Sequence, residues 1–166
     1  PYTTLFRSQS SGPYHPGNCQ ALQVLTSDTR AIHTTEHVPA SDRAPAHCRV
    51  TGQILPEVGF EVRLPDNWNG HFLMLGNGGF AGAIQAVIQG GFAPYLRQGF
   101  AVAATDTGHD ADRQPLASFG VDRQKIIDFA YRAVHVTTRA AKDLIMDYYG
   151  SGPELSYFSG GSTGGR

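Results

Sequence analysis

The chain is poor in charged residues and has no long apolar run. Charged side chains make up 16% of its 166 residues, and the formal net charge is −1. The sequence therefore predicts no basic surface for nucleic acid or anionic lipid. The longest apolar run, residues 100–104, falls far short of the roughly 20 residues that span a bilayer as a helix. We expect one globular domain, or part of one, that binds neither nucleic acid nor membranes.

The amino terminus carries no recognisable signal peptide. Residues 1–8, PYTTLFRS, resemble the translation of a sequencing-adapter oligonucleotide, so we expect them to be an artefact that takes no part in the fold. An interruption of the reading frame at this point would leave the destination of the intact protein unspecified. We expect the chain to be a fragment that is cut at both ends.

Residues 9–48 contain turn formers and four histidines but no sustained hydrophobic period, which predicts an irregular N-terminal segment. Within it, His33, Glu36 and His37 match the HxxEH pattern of zinc peptidases, in which a helix brings both imidazoles to one metal. The two intervening threonines and the nearby Pro39 favour an extended or irregular chain. A zinc peptidase remains an alternative that a helix at this point would favour and an extended chain would remove.

Regular structure is predicted from residue 49 onward. Apolar positions indicate five strands, near residues 50, 60, 72, 100 and 156, and the first two are joined as a hairpin. A short helix is expected over residues 83–88. Apolar residues at three- and four-residue steps between Ile126 and Tyr148 predict a long amphipathic helix that ends at Gly150. This alternation predicts an α/β fold with a mixed sheet.

Ser162 lies in the GxSxG pentapeptide of residues 160–164, directly after the fifth predicted strand. Glycines two residues before and after a serine suit a sharp strand-to-helix turn, where side chains would clash with the backbone. Such a turn exposes the hydroxyl, which can attack an acyl carbon if an imidazole takes its proton and backbone N–H groups receive the oxyanion. The pentapeptide alone is also compatible with a flexible glycine-rich terminus. The preceding strand and helix favour the nucleophile turn, and α/β-hydrolases carry their nucleophile after the fifth strand.

Several ordered blocks resemble the tannase and feruloyl esterase family, which also includes hydrolases of mono(2-hydroxyethyl) terephthalate. The similarity covers most of residues 19–166 and is much more specific than one pentapeptide. Its blocks are LPDNWNG at 64–70, GNGGFAG at 76–82, TDTGH at 105–109, FAYRAVH at 129–135 and YFSGGSTGGR at 157–166.

The resemblance implies a secreted or periplasmic serine esterase with an α/β-hydrolase core, of which residues 49–166 would be the N-terminal part. Ser162 would attack esters of aromatic acids of the feruloyl, galloyl or terephthaloyl type. The Thr163 backbone N–H would be one oxyanion donor, and Gly79 is favoured over Gly78 as the second. Family members carry the catalytic Asp and His far after the serine, so both are expected beyond this chain, which alone is expected to be inactive.

The resemblance also favours a disulfide between Cys19 and Cys48 over two free buried thiols. No cofactor is expected within the chain, and a structural calcium is a candidate only for the lid that family members insert after the nucleophile. Family members commonly have cysteine immediately before the nucleophile, bridged to a cysteine beside the catalytic histidine. Gly161 occupies that position here, so this second bridge is absent.

His109 follows a buried predicted strand, where a general base is one option. The Ser, acid, His chain order of such hydrolases instead implies a structural role, in which His109 hydrogen-bonds a loop around Asp106. Asp106 is predicted to form a turn before Gly108, and His135 is predicted to be a packed or half-exposed helix residue. A third hypothesis is a non-enzymatic fragment, because the serine lacks a base and half a sheet leaves apolar edges exposed.

Overall fold

The computed structural model describes residues 16–165, in which six strands form a mixed sheet of order β1-β2-β3-β5-β4-β6. Neighbouring strands run antiparallel from β1 to β5, whereas β5, β4 and β6 are parallel to one another. Residues 1–8, the expected artefact, and Arg166 lie outside the described residues. The strands are β1 (Arg30–Val38), β2 (His47–Ile54), β3 (Val58–Pro65), β4 (His71–Leu75), β5 (Ala101–Thr105) and β6 (Leu155–Ser159).

Helices lie between the parallel strands, as an α/β fold requires. They are α1 (Gln85–Ile88), α2 (Ala93–Arg97), α3 (Arg123–Ile127) and α4 (Ala133–Tyr149), with a π-helical turn (Asp128–Arg132) between α3 and α4 and 3₁₀ helices at Cys19–Leu25, Ser118–Val121 and Ser162–Gly165. Gly150 ends α4 in the left-handed conformation, with φ of 70°, at the predicted position. None of the helices between residues 16 and 165 combines the length and the apolar character that a bilayer crossing requires.

Apolar side chains pack on both faces of the sheet. On one face, Phe60, Met74 and Ala103 belong to the same buried cluster as Leu144 of α4. On the other face, Leu73, Leu75, Val102 and Ala104 pack with Leu96 of α2 and with Phe92 just before it. Successive strand residues therefore pack into hydrophobic clusters on opposite faces of the sheet, and every residue of β5 is buried.

The five strands, the β2–β3 hairpin and the long helix predicted from the sequence are confirmed. The irregular conformation expected for residues 9–48 is wrong over β1, which pairs with β2 along its whole length. The hydrophobic pattern fails there because β1 is an edge strand with mostly exposed or half-buried residues. Its side chains are not sorted into a buried and a solvated face.

Strand β1 also removes the zinc-peptidase alternative. His33 and His37 are four residues apart in an extended strand, so their Cα atoms are roughly 13 Å apart. Two imidazoles at that separation cannot ligate one ion in the manner of a helical HxxEH motif. Across residues 16–165, no group of three or more His, Cys, Asp or Glu side chains could hold a metal ion.

The favoured disulfide is present. Cys19, at the start of a 3₁₀ helix, is bonded to Cys48 of β2, and both residues are buried. The bond closes the loop that contains β1 and fastens the N-terminal 3₁₀ helix to the sheet.

Replacing both Cys19 and Cys48 with alanine is expected to lower the free energy of unfolding by about 3–4 kcal/mol, because the bond closes a chain separation of 29 residues. Urea denaturation of the variant, compared with the parent protein with and without reductant, measures the effect. A double variant within about 0.5 kcal/mol of the oxidised parent would contradict this expectation.

Candidate active site

Ser162 begins a 3₁₀ turn immediately after β6, and its side chain is exposed. Its φ is +54°, in the left-handed region that residues other than glycine rarely adopt. Holding a serine there costs about 1–2 kcal/mol, and such strained residues cluster at functional sites. The predicted sharp turn is therefore present, and it carries the hydroxyl at the carboxyl end of the parallel strands.

The turn after β6 packs directly on the glycine loop of residues 76–79, which follows β4. The two strands are parallel neighbours, and the Gly76 N–H donates to the Ser159 carbonyl at 2.9 Å just beyond their ladder. A β-carbon at Gly164 would lie 2.5 Å from the Asn77 carbonyl oxygen, and one at Gly160 would overlap the Gly164 carbonyl. Only glycine permits this backbone contact.

Gly78 and Gly79 differ in their hydrogen bonding. The Gly78 N–H donates to Gln85 Oε1 at 3.0 Å, and Gln85 Nε2 donates back to the Gly78 carbonyl at 3.1 Å. The Gly79 N–H has no acceptor among residues 16–165, and the φ of Gly79 is +60°. A β-carbon at Gly78 would lie 3.8 Å from the Gly161 carbonyl oxygen, so this loop adjoins the GxSxG turn.

Asn77 ties the glycine loop to the end of β5. Its side-chain amide donates to the Thr105 carbonyl and, at 3.2 Å, to the Ala83 carbonyl. Asn77 and Gln85 were not singled out from the sequence. The only sequence signal for these two residues is their position in and shortly after a glycine-rich loop. Side-chain amides are common in such positions, and the hydrogen bonds of Asn77 and Gln85 depend on tertiary structure.

A small cavity of about 50 Å³ lies under the two loops. That volume accommodates a few water molecules but not an aromatic acid. The cavity is lined by Gly76, Asn77, Thr107, Phe129, Ala130, Val134, Phe158, Thr163 and Gly164.

Asp106 forms the turn predicted after β5 and links it to the β2–β3 hairpin. Its carboxylate accepts hydrogen bonds from the Gly108 N–H at 2.8 Å and from the Gly59 N–H at 3.0 and 3.1 Å. Burial raises the pKa of this carboxyl to about 7, and this effect exceeds the opposite effect of the backbone donors. Asp110 adds a smaller increase.

His109 is 4% exposed, and its ring stacks on Phe119 at a centroid distance of 4.1 Å. The predicted hydrogen bond to the loop around Asp106 is wrong, because neither ring nitrogen has a hydrogen-bond partner among the described residues. Aromatic packing fixes the ring instead. Burial lowers the pKa of His109, and the Lys125 charge lowers it further. The Thr107 backbone raises this pKa by a smaller amount, although its geometry is not that of a hydrogen bond.

No hydrogen bond joins Ser162 to a histidine within the part of the chain that the structure describes. His135 is exposed on α4. The arrangement thus places an exposed serine near one backbone N–H without an acceptor among residues 16–165, that of Gly79, whereas a histidine is not among the described contacts of this serine.

Comparison with known proteins identifies the family of the chain. The family model described as "Tannase and feruloyl esterase" matches residues 43–166. An uncharacterized esterase of Xanthomonas campestris is 38% identical over 89% of this chain and 28% of its own length. Mono(2-hydroxyethyl) terephthalate hydrolase of Piscinibacter sakaiensis is 37% identical over 74% of this chain and 23% of its own length.

The crystal structure of feruloyl esterase B from Aspergillus oryzae superposes with a TM-score of 0.76 over 89% of this chain and 33% of that one, at 29% identity. The chain belongs to the tannase and feruloyl esterase family. It is therefore a member of a family of carboxylic ester hydrolases. The chain spans about a quarter to a third of the length of these relatives.

Substituting Gly164 with alanine is expected to destabilise the protein by about 1–3 kcal/mol, because the new β-carbon would meet the backbone of Asn77. Gly161 is the matched control: a β-carbon there has no neighbour within 4 Å, so Gly161→Ala should stay within about 0.5 kcal/mol of the parent. Urea denaturation of both variants tests the contact, and equal stabilities would contradict it.

The pH dependence of stability is expected to carry a contribution from Asp106. Because its folded-state pKa is raised to about 7, the folded protein retains a proton that the unfolded chain loses above about pH 4. The stabilisation is complete below the unfolded-state pKa and is lost as the pH rises through about 7. The parent should therefore lose about 2–3 kcal/mol more than Asp106→Asn between about pH 5 and pH 8.

Urea denaturation of both proteins across that range measures this difference. His109 contributes with the opposite sign, because its pKa is lowered, but it is present in both proteins and cancels in the comparison. Identical pH profiles for parent and variant would show that the carboxyl titrates alike in the folded and unfolded chains.

Proposed function

We propose that this chain is the nucleophile-bearing part of a serine carboxylic-ester hydrolase that acts on esters of aromatic acids. The observation that carries the proposal is the left-handed, exposed Ser162 beside a glycine loop whose Gly79 N–H has no acceptor among residues 16–165. Because the chain belongs to an esterase family, we interpret this geometry as a site of ester hydrolysis.

In the proposed reaction, Ser162 Oγ attacks the ester carbonyl carbon as a histidine removes its proton. The Thr163 and Gly79 backbone N–H groups stabilise the oxyanion of the tetrahedral intermediate. The intermediate then collapses to an acyl-serine, and the alcohol leaves with a proton from the histidine. Water, activated by the same imidazole, hydrolyses the acyl-serine to the free acid.

The strand order supports a partial α/β-hydrolase fold. From β4 the chain passes to β5 on one side and later to β6 on the other, so the loops after β4 and β6 meet where the strand order reverses. Open α/β sheets bind ligands at the carboxyl ends of the strands at such a point. Ser162 and the glycine loop lie at this point.

We further propose that the catalytic Asp, the catalytic His and a lid are supplied by sequence after Arg166. The sheet edge supports this: Leu155, Tyr157 and Phe158 of β6 are 51%, 45% and 47% exposed. An edge strand with such apolar exposure normally pairs with, or is covered by, further structure. The 166-residue chain alone would then lack a base and be inactive.

An aromatic acid substrate is supported by the names of two relatives, a feruloyl esterase B and a mono(2-hydroxyethyl) terephthalate hydrolase. The two acids in these names share an aromatic ring that carries or is conjugated to the carboxyl group. We also propose an exported protein, because the Cys19–Cys48 disulfide is typical of an oxidising compartment.

In the full-length protein that carries these residues, Ser162→Ala is expected to reduce kcat for a hydroxycinnamate methyl ester by about 10⁴-fold or more, since the nucleophile is lost. Ser27→Ala, at an exposed serine in the turn before β1 and away from the β6 edge, is the matched control and should retain parental rates. Initial-rate kinetics measures both.

A fluorophosphonate probe, which bonds covalently to activated serines, gives an independent readout by mass spectrometry. The adduct is expected on Ser162 of the full-length protein and not on the 166-residue chain. Turnover that survives Ser162→Ala, or an adduct on another serine, would refute the assignment.

A further inference from the structure

Gln85 uses one side-chain amide to hold both backbone polar groups of Gly78. Its Oε1 accepts from the Gly78 N–H at 3.0 Å, and its Nε2 donates to the Gly78 carbonyl at 3.1 Å. Gln85 is the first residue of α1, so its backbone is set by the helix that follows the loop. This paired contact binds the loop to α1 without any charged group.

The contact with the Gly78 carbonyl also fixes the direction of the next N–H group. The Gly78 carbonyl and the Gly79 N–H belong to one planar trans peptide, in which they point in opposite directions. When Gln85 Nε2 holds the carbonyl, the Gly79 N–H is directed away from Gln85. It then has no acceptor among residues 16–165 and is available to a ligand.

The hydrogen bond from the Gly78 N–H to Gln85 Oε1 keeps this N–H from competing with the Gly79 N–H for the oxyanion. An N–H already bonded at 3.0 Å could reach an oxyanion only by giving up Gln85. Without Gln85, the Gly78 carbonyl would keep only the longer hydrogen bond from the Ala81 N–H, at 3.3 Å, and the Gly78 N–H would have no partner. Two successive glycines would then let either N–H turn toward the serine. Asn77 restrains only the residue before them, through the Thr105 and Ala83 carbonyls.

We propose that Gln85 is a positioning residue that assigns the second oxyanion contact to Gly79 and withholds Gly78 from it. The inference rests on the proposed serine esterase function and concerns the same site. Gln85 acts through the peptide between Gly78 and Gly79 and does not itself touch the substrate.

Kinetics of the full-length protein tests the proposal. Gln85→Met keeps the side-chain length and removes both hydrogen bonds, so kcat should fall about 10- to 100-fold while KM changes less than about threefold. Gln85→Glu can still accept from the Gly78 N–H but cannot donate to its carbonyl. If peptide orientation is the cause, Gln85→Glu should be about as slow as Gln85→Met.

Gln89 provides the matched control, because it is exposed and lies one helical turn after Gln85. Gln89→Met should retain parental kcat and KM. A Gln85→Met enzyme with kcat within about twofold of the parent, or with a fall equal to that of Gln89→Met, would overturn the proposal.

Amide hydrogen exchange, followed by NMR on parent and Gln85→Met proteins, gives a readout that needs no activity. The Gly78 amide should exchange at least about tenfold faster in the variant, whereas the Gly76 amide, bonded to Ser159, should not change. Equal exchange rates of the Gly78 amide in the two proteins would show that Gln85 does not restrain the loop, and would overturn the proposal. Turnover that survives Ser162→Ala would instead remove the esterase mechanism and leave this exchange result standing.

Discussion

The contact between two backbone turns, one after β4 and one after β6, is the constraint on which the candidate site depends. Gly164 packs against the backbone of Asn77 more closely than any β-carbon would allow. This contact brings the serine turn and the glycine loop together, although residues 79 and 162 are far apart in sequence. The parallel register of β4 and β6 sets the distance, and the absence of side chains lets the two turns close it.

The sequence predicted the α/β class, five of the six strands, the long helix and the disulfide, because each has a local signal or a family motif. Buried strands such as β5 are apolar at every position, and α4 repeats its apolar residues with the helical period. Strand β1 was missed because an edge strand needs no such pattern. Its existence depends on pairing with β2, which no local signal encodes.

The features of the candidate site likewise divide into those with a local sequence signal and those without one. The tight turn at Ser162 could be predicted because a sharp turn and a close backbone approach restrict which residues fit, whereas the catalytic roles of these residues stay predictions. The roles of Asn77 and Gln85 could not be predicted, because a side-chain amide finds its partners only after distant segments have come together. The same reason explains His109: its position after β5 suggested a hydrogen bond, but packing against Phe119 leaves both nitrogens without one.

Backbone dipoles, not charged side chains, supply the proposed stabilisation at this edge of the sheet. The groups that hold the loops are the amides of Asn77 and Gln85 and the backbone itself. Asp106 and His109, two of the titratable groups in the loop after β5, are both shifted toward their neutral forms: the pKa of Asp106 is raised to about 7 and that of His109 is lowered. A carboxylate that is only partly ionised near neutral pH opposes a developing oxyanion less than a full negative charge would. In the proposed mechanism, the oxyanion is therefore stabilised by the orientation of a few N–H groups, which the glycine contact and Gln85 would hold in place.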